Sequence, residues 1–260
     1  MKVISFVIVS TLFVSCSKND RSIGEKHTLF RFGYRTSAMS TGPLYCSGFI
    51  GCLGNSAPPM FFTAHHVVNK EQYTWDQLAG NVKDGWLWSQ RDTSVNLALG
   101  KNIPIRDAHV SHIDIAAFEI NPREELGCLP IASRNANVGD SIRLFGKLLF
   151  DKKDSGYYHP AKIIYVSDSF MVYAFNRSSI ELGASSGSPL LNKANEVVGI
   201  AFGALKFPSL SIRDQIAKQL PVINELILEE NVMYGIGTPV EILQDRVRQS
   251  LRSQKPTATR

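Results

Sequence analysis

The stretch Gly183-Ala184-Ser185-Ser186-Gly187-Ser188-Pro189 decides how this sequence is read. It is a Gly/Ser turn entering the apolar run Leu190-Leu191, a place where a hydroxyl can be held at the mouth of a strand. A serine hydroxyl is a poor nucleophile until a base takes its proton, and the base needs an acid to set its tautomer and stabilise its cation. Six histidines are available as that base: His27, His65, His66, His109, His112 and His159. The run Phe61-Phe62-Thr63-Ala64-His65-His66-Val67-Val68 places two of them where an apolar strand ends. The run Ile113-Asp114-Ile115-Ala116 embeds an acid between apolar neighbours, and a buried carboxylate without a partner costs several kcal/mol. Asp114 therefore needs a partner.

Taken singly, a histidine at a strand end and a serine turn are ordinary structural features. Chain order is what separates the possibilities. Gly183-Ala184-Ser185-Ser186-Gly187 formally matches the Gly-x-Ser-x-Gly nucleophile elbow, whose order is Ser, acid, His. No histidine follows His159, so that order is excluded. A subtilisin-like order needs an aspartate ahead of the histidine, and Asp20 is the only one before His66. What survives is His66, Asp114, Ser186, with separations of 48 and 72 residues.

Outward from these motifs, short β-rich runs recur between turn signals, over 28–34, 44–53, 59–64, 94–99, 113–120, 141–149, 161–166, 169–175, 189–191, 197–203 and 232–237. Many short strands at regular spacing predict a barrel or sandwich. Helical periodicity comes late, over 212–228 and 240–251. The polar link 132–139 is the best boundary between two halves. There is no internal repeat and no low-complexity segment.

The 260 residues suffice for one domain or two small ones, and 44% hydrophobic with 20% charged residues is ordinary for a globular core. Disorder, collagen and coiled coil are excluded as the main architecture. The net charge of +5 is local: Arg246, Arg248, Arg252, Lys255 and Arg260 face no acid in 246–260, and the rest holds 23 charges of each sign. That reads as a solvated basic tail, with weak attraction to an anionic membrane as the alternative. No basic helix with interleaved aromatics speaks for a nucleic-acid partner.

Met1-Lys2, the apolar run 3–14 and the small Ser15 read as a secretory signal peptide. The apolar run is too short for the roughly 20 residues a spanning helix needs. Setting Cys16 aside, Cys46, Cys52 and Cys128 remain. In one extended run Cys46 and Cys52 would lie about 20 Å apart, so any bridge must use Cys128. Three buried thiols are the expectation.

The three ordered motifs resemble the trypsin/chymotrypsin-like superfamily, nearest its bacterial Deg (HtrA) and glutamyl-endopeptidase members. Thr63-Ala64-His65-His66 is similar to the family's Thr-Ala-Ala-His, Asp114-Ile115-Ala116 to its Asp-Ile/Leu-Ala, and Ser185-Ser186-Gly187-Ser188-Pro189 to its Asp/Asn-Ser-Gly-Gly/Ser-Pro. Cys46-Ser47-Gly48-Phe49-Ile50, Val138-Gly139-Asp140-Ser141 and Val198-Gly199-Ile200 add to the likeness. Cys16 likewise resembles the lipidated cysteine of a bacterial lipoprotein, although Phe13 replaces the usual Leu.

The resemblance implies an all-β fold of two antiparallel β-barrels (chymotrypsin-like), with short helices near the C-terminus. It divides the chain into 1–15 signal peptide, 16–27 tether, 28–135 first barrel, 136–245 second barrel and 246–260 basic tail. No PDZ module follows. It implies a serine endopeptidase acting on polypeptides without metal or organic cofactor, with His66 as base, Asp114 as orienting acid and Ser186 as nucleophile. The N–H groups of Ala184 and Ser186 would form the oxyanion hole, where Ala184 departs from the family's Gly. Ile180, Glu181, Ala201, Phe202 and Gly203 would contact substrate, and no trypsin-like preference for Arg or Lys is expected. The expected location is the bacterial cell envelope (periplasm or outer membrane), anchored through Cys16. Two rivals use the same residues: a silent protease-like binding module and an esterase.

Overall fold

The computed structural model describes residues 26–34, 44–54, 57–68, 85–103, 105, 113–148, 156–177, 179–206 and 232–253. The first half consists of β1 (Leu29–Tyr34), β2 (Leu44–Cys52), β3 (Met60–Thr63), β4 (Gly85–Ser89), β5 (Leu99–Ile103), β6 (Ala116–Ile120) and β7 (Leu129–Pro130). Their order is β4-β1-β2-β3-β6-β5, with β7 parallel to β2. The second half consists of β8 (Ser141–Phe145), β9 (Tyr158–Val166), β10 (Met171–Phe175), β11 (Pro189–Leu191), β12 (Val197–Lys206) and β13 (Met233–Pro239), closed as a barrel in the order β10-β13-β12-β11-β8-β9. The fold is chymotrypsin-like: one closed barrel and, among the described residues, one half-barrel. A one-turn helix α1 (His65–Val68) follows β3, and α2 (Val240–Ser253) follows β13.

Strand β3 shows why an apolar run can be a strand here. All four of its residues are buried, and successive side chains point to opposite faces. Phe61 joins the cluster of Phe30 and Phe118, with ring centroids 6.3 Å and 6.5 Å away. Phe62 points the other way to Phe49, at 5.6 Å. Each buried phenyl contributes roughly 1.5–3 kcal/mol. The second cluster continues through Ile142, Leu190 and Val198 of the second barrel.

Helix α2 closes that core. Val240, Leu243 and Val247, at helical spacing, are fully buried. Asn135 receives the Glu241 N–H at 3.0 Å and donates its amide to the Glu241 carboxylate at 3.1 Å, while the Gln244 amide donates to the Ala132 carbonyl. The helix runs into the stretch read as a solvated tail: Val247 and Ser250 are buried, whereas Arg248 and Arg252 are exposed. The helix expected over 212–228 lies outside the described residues.

Two expectations are corrected. Cys52 and Cys128 form a disulfide, Cα–Cα 5.6 Å, leaving only Cys46 of the described cysteines as a buried thiol. The cause is the parallel β2–β7 pairing, Gly51 opposite Leu129, which juxtaposes cysteines 76 residues apart. The strand expected over 94–99 begins only at Leu99. Ahead of it the Asp92 carboxylate takes the Ser94 N–H (2.9 Å) and hydroxyl (2.7 Å), a local turn that competes with extension.

Candidate active site

The β3–β6 ladder brings the base and the acid together. Thr63 is opposite Ala116, so the chain leaving β3 and the chain entering β6 meet at one end of the sheet. Asp114 there is 9% exposed, between buried Ile113 and Ile115. Its Oδ1 accepts the His66 backbone N–H at 2.7 Å and its Oδ2 bonds His66 Nδ1. A carboxylate only accepts, so the ring proton on that bond belongs to Nδ1, and in the neutral ring the lone pair is left on Nε2. The His66 side chain is 46% exposed, so the ring is held from behind and open in front.

The nucleophile turn packs against this same sheet end. Gly187 has φ +87°, and a Cβ on it would lie 1.9 Å from the Ser47 carbonyl oxygen and 2.4 Å from Thr63 Oγ1. Only glycine permits that approach, three residues before His66. The Ser47 N–H donates to the Ser186 carbonyl at 2.8 Å, and the Gly187 N–H to Ala201 at 2.7 Å. The Ser186 hydroxyl, half-buried, donates to the Phe202 carbonyl at 3.5 Å. Among the described residues no hydrogen bond joins it to His66; catalytic hydrogen bonds commonly tighten only when substrate is bound.

Ala184 has φ +65°, in the left-handed region that the family's glycine would enter freely. For alanine that conformation costs about 1–2 kcal/mol. Its carbonyl accepts from Arg31 Nη1 at 3.0 Å and from the Ser47 hydroxyl at 2.8 Å. The N–H groups of Ala184 and Ser186 have no acceptor among the described residues. Two such donors, one on Ser186 itself and one two residues before it, are of the kind that serves a developing oxyanion.

The sequence model of the trypsin-like peptidase domain matches residues 46–200. The chain belongs to that family. Among solved structures, it is similar to a serine endoprotease from Yersinia pestis, at 15% identity and a TM-score of 0.53, over 90% of this chain and 66% of that one. It is also similar to a protease from M. tuberculosis in its active form, at 14% identity and 0.53, over 92% and 85%. At these identities the likeness is one of fold. The chain spans just under two thirds of the Yersinia pestis protein. No curated protein matches the sequence.

In this trypsin-like peptidase domain the remaining sequence-predicted residues lie around the turn. Ile180 is buried in the main core and Glu181 is exposed. Ala201 is buried, and Phe202 and Gly203 are half-buried at a bulge where the β12–β13 register slips. Cys16 lies outside the described residues. Sequence reasoning missed Arg31, Ser47 as a side chain, and Gln90. Arg31 gave one signal, a lone cation in the apolar run Leu29-Phe30-Arg31-Phe32. It is 3% exposed, and burial pushes its guanidinium down to about 10.

Proposed function

We propose that the protein is an exported serine endopeptidase working through His66, Asp114 and Ser186. The observation that carries the reading is the two-point hydrogen bond from His66 to buried Asp114, at the sheet end against which the Ser186 turn packs. In the first half-reaction Ser186 Oγ attacks the peptide carbonyl carbon and its proton passes to His66 Nε2. The carbonyl oxygen, now an oxyanion, takes the N–H groups of Ala184 and Ser186. The tetrahedral centre collapses, the C–N bond breaks, and the leaving amine takes the proton from Nε2. A water then attacks the acyl ester, giving its proton to Nε2, and the Ser186 oxygen leaves with that proton. Asp114 keeps Nδ1 protonated throughout and stabilises the imidazolium.

A silent module would be favoured by an alanine unable to enter the oxyanion conformation. Ala184 at φ +65° speaks against that. Export and lipid anchoring at Cys16 remain part of the proposal, and the Cys52–Cys128 disulfide supports an oxidising compartment. Polypeptides are the proposed substrates.

The test is a fluorophosphonate probe, which reacts with a base-activated serine, run beside cleavage of an unfolded protein and of a simple ester. Wild type and Ser185→Ala should be labelled, Ser186→Ala and His66→Ala should not. Labelling of Ser186→Ala would overturn the choice of nucleophile. A folded wild type that is never labelled would mean a silent module, and ester turnover without peptide turnover an esterase.

A further inference from the structure

Behind the oxyanion turn lies a closed circuit of hydrogen bonds that the proposed chemistry does not itself use. Arg31, on β1, donates to the carbonyls of Ala184 and Lys147. The Lys147 N–H donates to Gln90 Oε1 at 2.8 Å, and Gln90 Nε2 donates to the Ser47 hydroxyl at 3.1 Å. That hydroxyl donates to the Ala184 carbonyl, closing the ring where it began. Among the described residues no carboxylate pairs with Arg31, and its guanidinium donates to two backbone carbonyls, one of them in the oxyanion turn.

We infer that Arg31 and Ser47 are positioning residues that hold Ala184 left-handed, doing for this chain what a glycine does in the family pattern. The inference rests on the serine-endopeptidase reading for its catalytic consequence and on geometry for the rest. The left-handed basin pairs φ near about +60° with ψ near about +45°, a ψ that belongs to neither negative-φ basin. Alanine therefore leaves it only by turning its carbonyl as well. Two donors hold that carbonyl, and the next N–H, of Ser185, is held by the Leu182 carbonyl at 3.0 Å. The peptide plane between Ala184 and Ser185 is thus pinned at both ends, with the N–H groups of Ala184 and Ser186 on either side of it.

The test uses Ser47→Ala, Arg31→Met and each of these combined with Ala184→Gly. Crystal structures of the single variants should show Ala184 at negative φ. In turnover, kcat should fall, by up to the roughly 100-fold that loss of one oxyanion donor brings, with KM changed far less. Ala184→Gly should restore most of that kcat, which it could not do had the variants merely loosened the fold. Ala184 remaining at positive φ in both single variants, or unchanged kcat in folded Ser47→Ala, overturns the inference. Should Arg31→Met fail to fold, Ser47→Ala alone decides. Should wild type fail to react with the fluorophosphonate probe, the endopeptidase reading fails, and the φ of Ala184 in Ser47→Ala still judges the clamp.

Discussion

Asp114 serves His66 with both oxygens, one to the backbone N–H and one to the ring. Exchange for asparagine leaves one acceptor for two donors and turns an N–H toward Nδ1, which favours the wrong tautomer. In the serine-protease template this exchange costs about 10⁴ in kcat. Asp114→Asn should show a loss of that order with KM little changed, read from steady-state kinetics on a protein whose circular dichroism is native. At this scale the sequence was legible where a residue's chemistry conflicts with its neighbours: an acid between Ile113 and Ile115 announces a partner. Chain order singled out His66, which the structure pairs with Asp114, and Ser186 as the proposed nucleophile. Arg31 was not legible as a clamp, because its partners are backbone carbonyls at 147 and 184, which carry no residue signature and are brought together only by the two halves meeting.

Strands β2 and β7 are held twice, by their parallel ladder and by the Cys52–Cys128 bridge across 76 residues. Closing so long a loop restricts the unfolded chain, and removing such a bridge typically costs about 2–5 kcal/mol. Urea unfolding of the wild type should shift to lower urea on adding a reductant, with the unfolding free energy in water falling by that amount. The Cys52→Ser/Cys128→Ser variant should unfold at the lower midpoint and not respond to reductant. An unshifted wild type would show that the bridge does not form. This element escaped the sequence reading because strand runs show where extension is favoured but not which strands pair. The Asp92–Ser94 turn escaped for a different reason, since a side chain capping its own backbone outcompetes the strand tendency of the residues beyond it. By contrast, β3, β11 and α2 were plain, the first two as apolar runs after or before turns and the last by its three- and four-residue spacing.

For the whole molecule, the proposal that Cys16 carries a lipid separates anchoring from catalysis. Cys16→Ala should move the protein from the membrane to the soluble fraction and abolish fatty-acid labelling, while leaving the turnover of the folded part unchanged. A wild type that takes up no labelled fatty acid would remove the anchor from the proposal. No helix among the described residues is long and apolar enough to cross a membrane.

The main core runs from Leu29 on β1 through the second barrel to Val247 on α2, and the oxyanion turn is braced from β1 and β2. The reactive centre as a whole is therefore complete in neither half: His66 and Asp114 come from the first, Ser186 and Ala184 from the second. On the export reading, a chain threaded N-terminus first through a translocation pore has its first half outside while 240–253 are still within. Until those last turns emerge, the hydrophobic interior lacks its closing helix. The order of passage would then delay hydrolytic competence until the polypeptide has left the compartment whose proteins it must not digest.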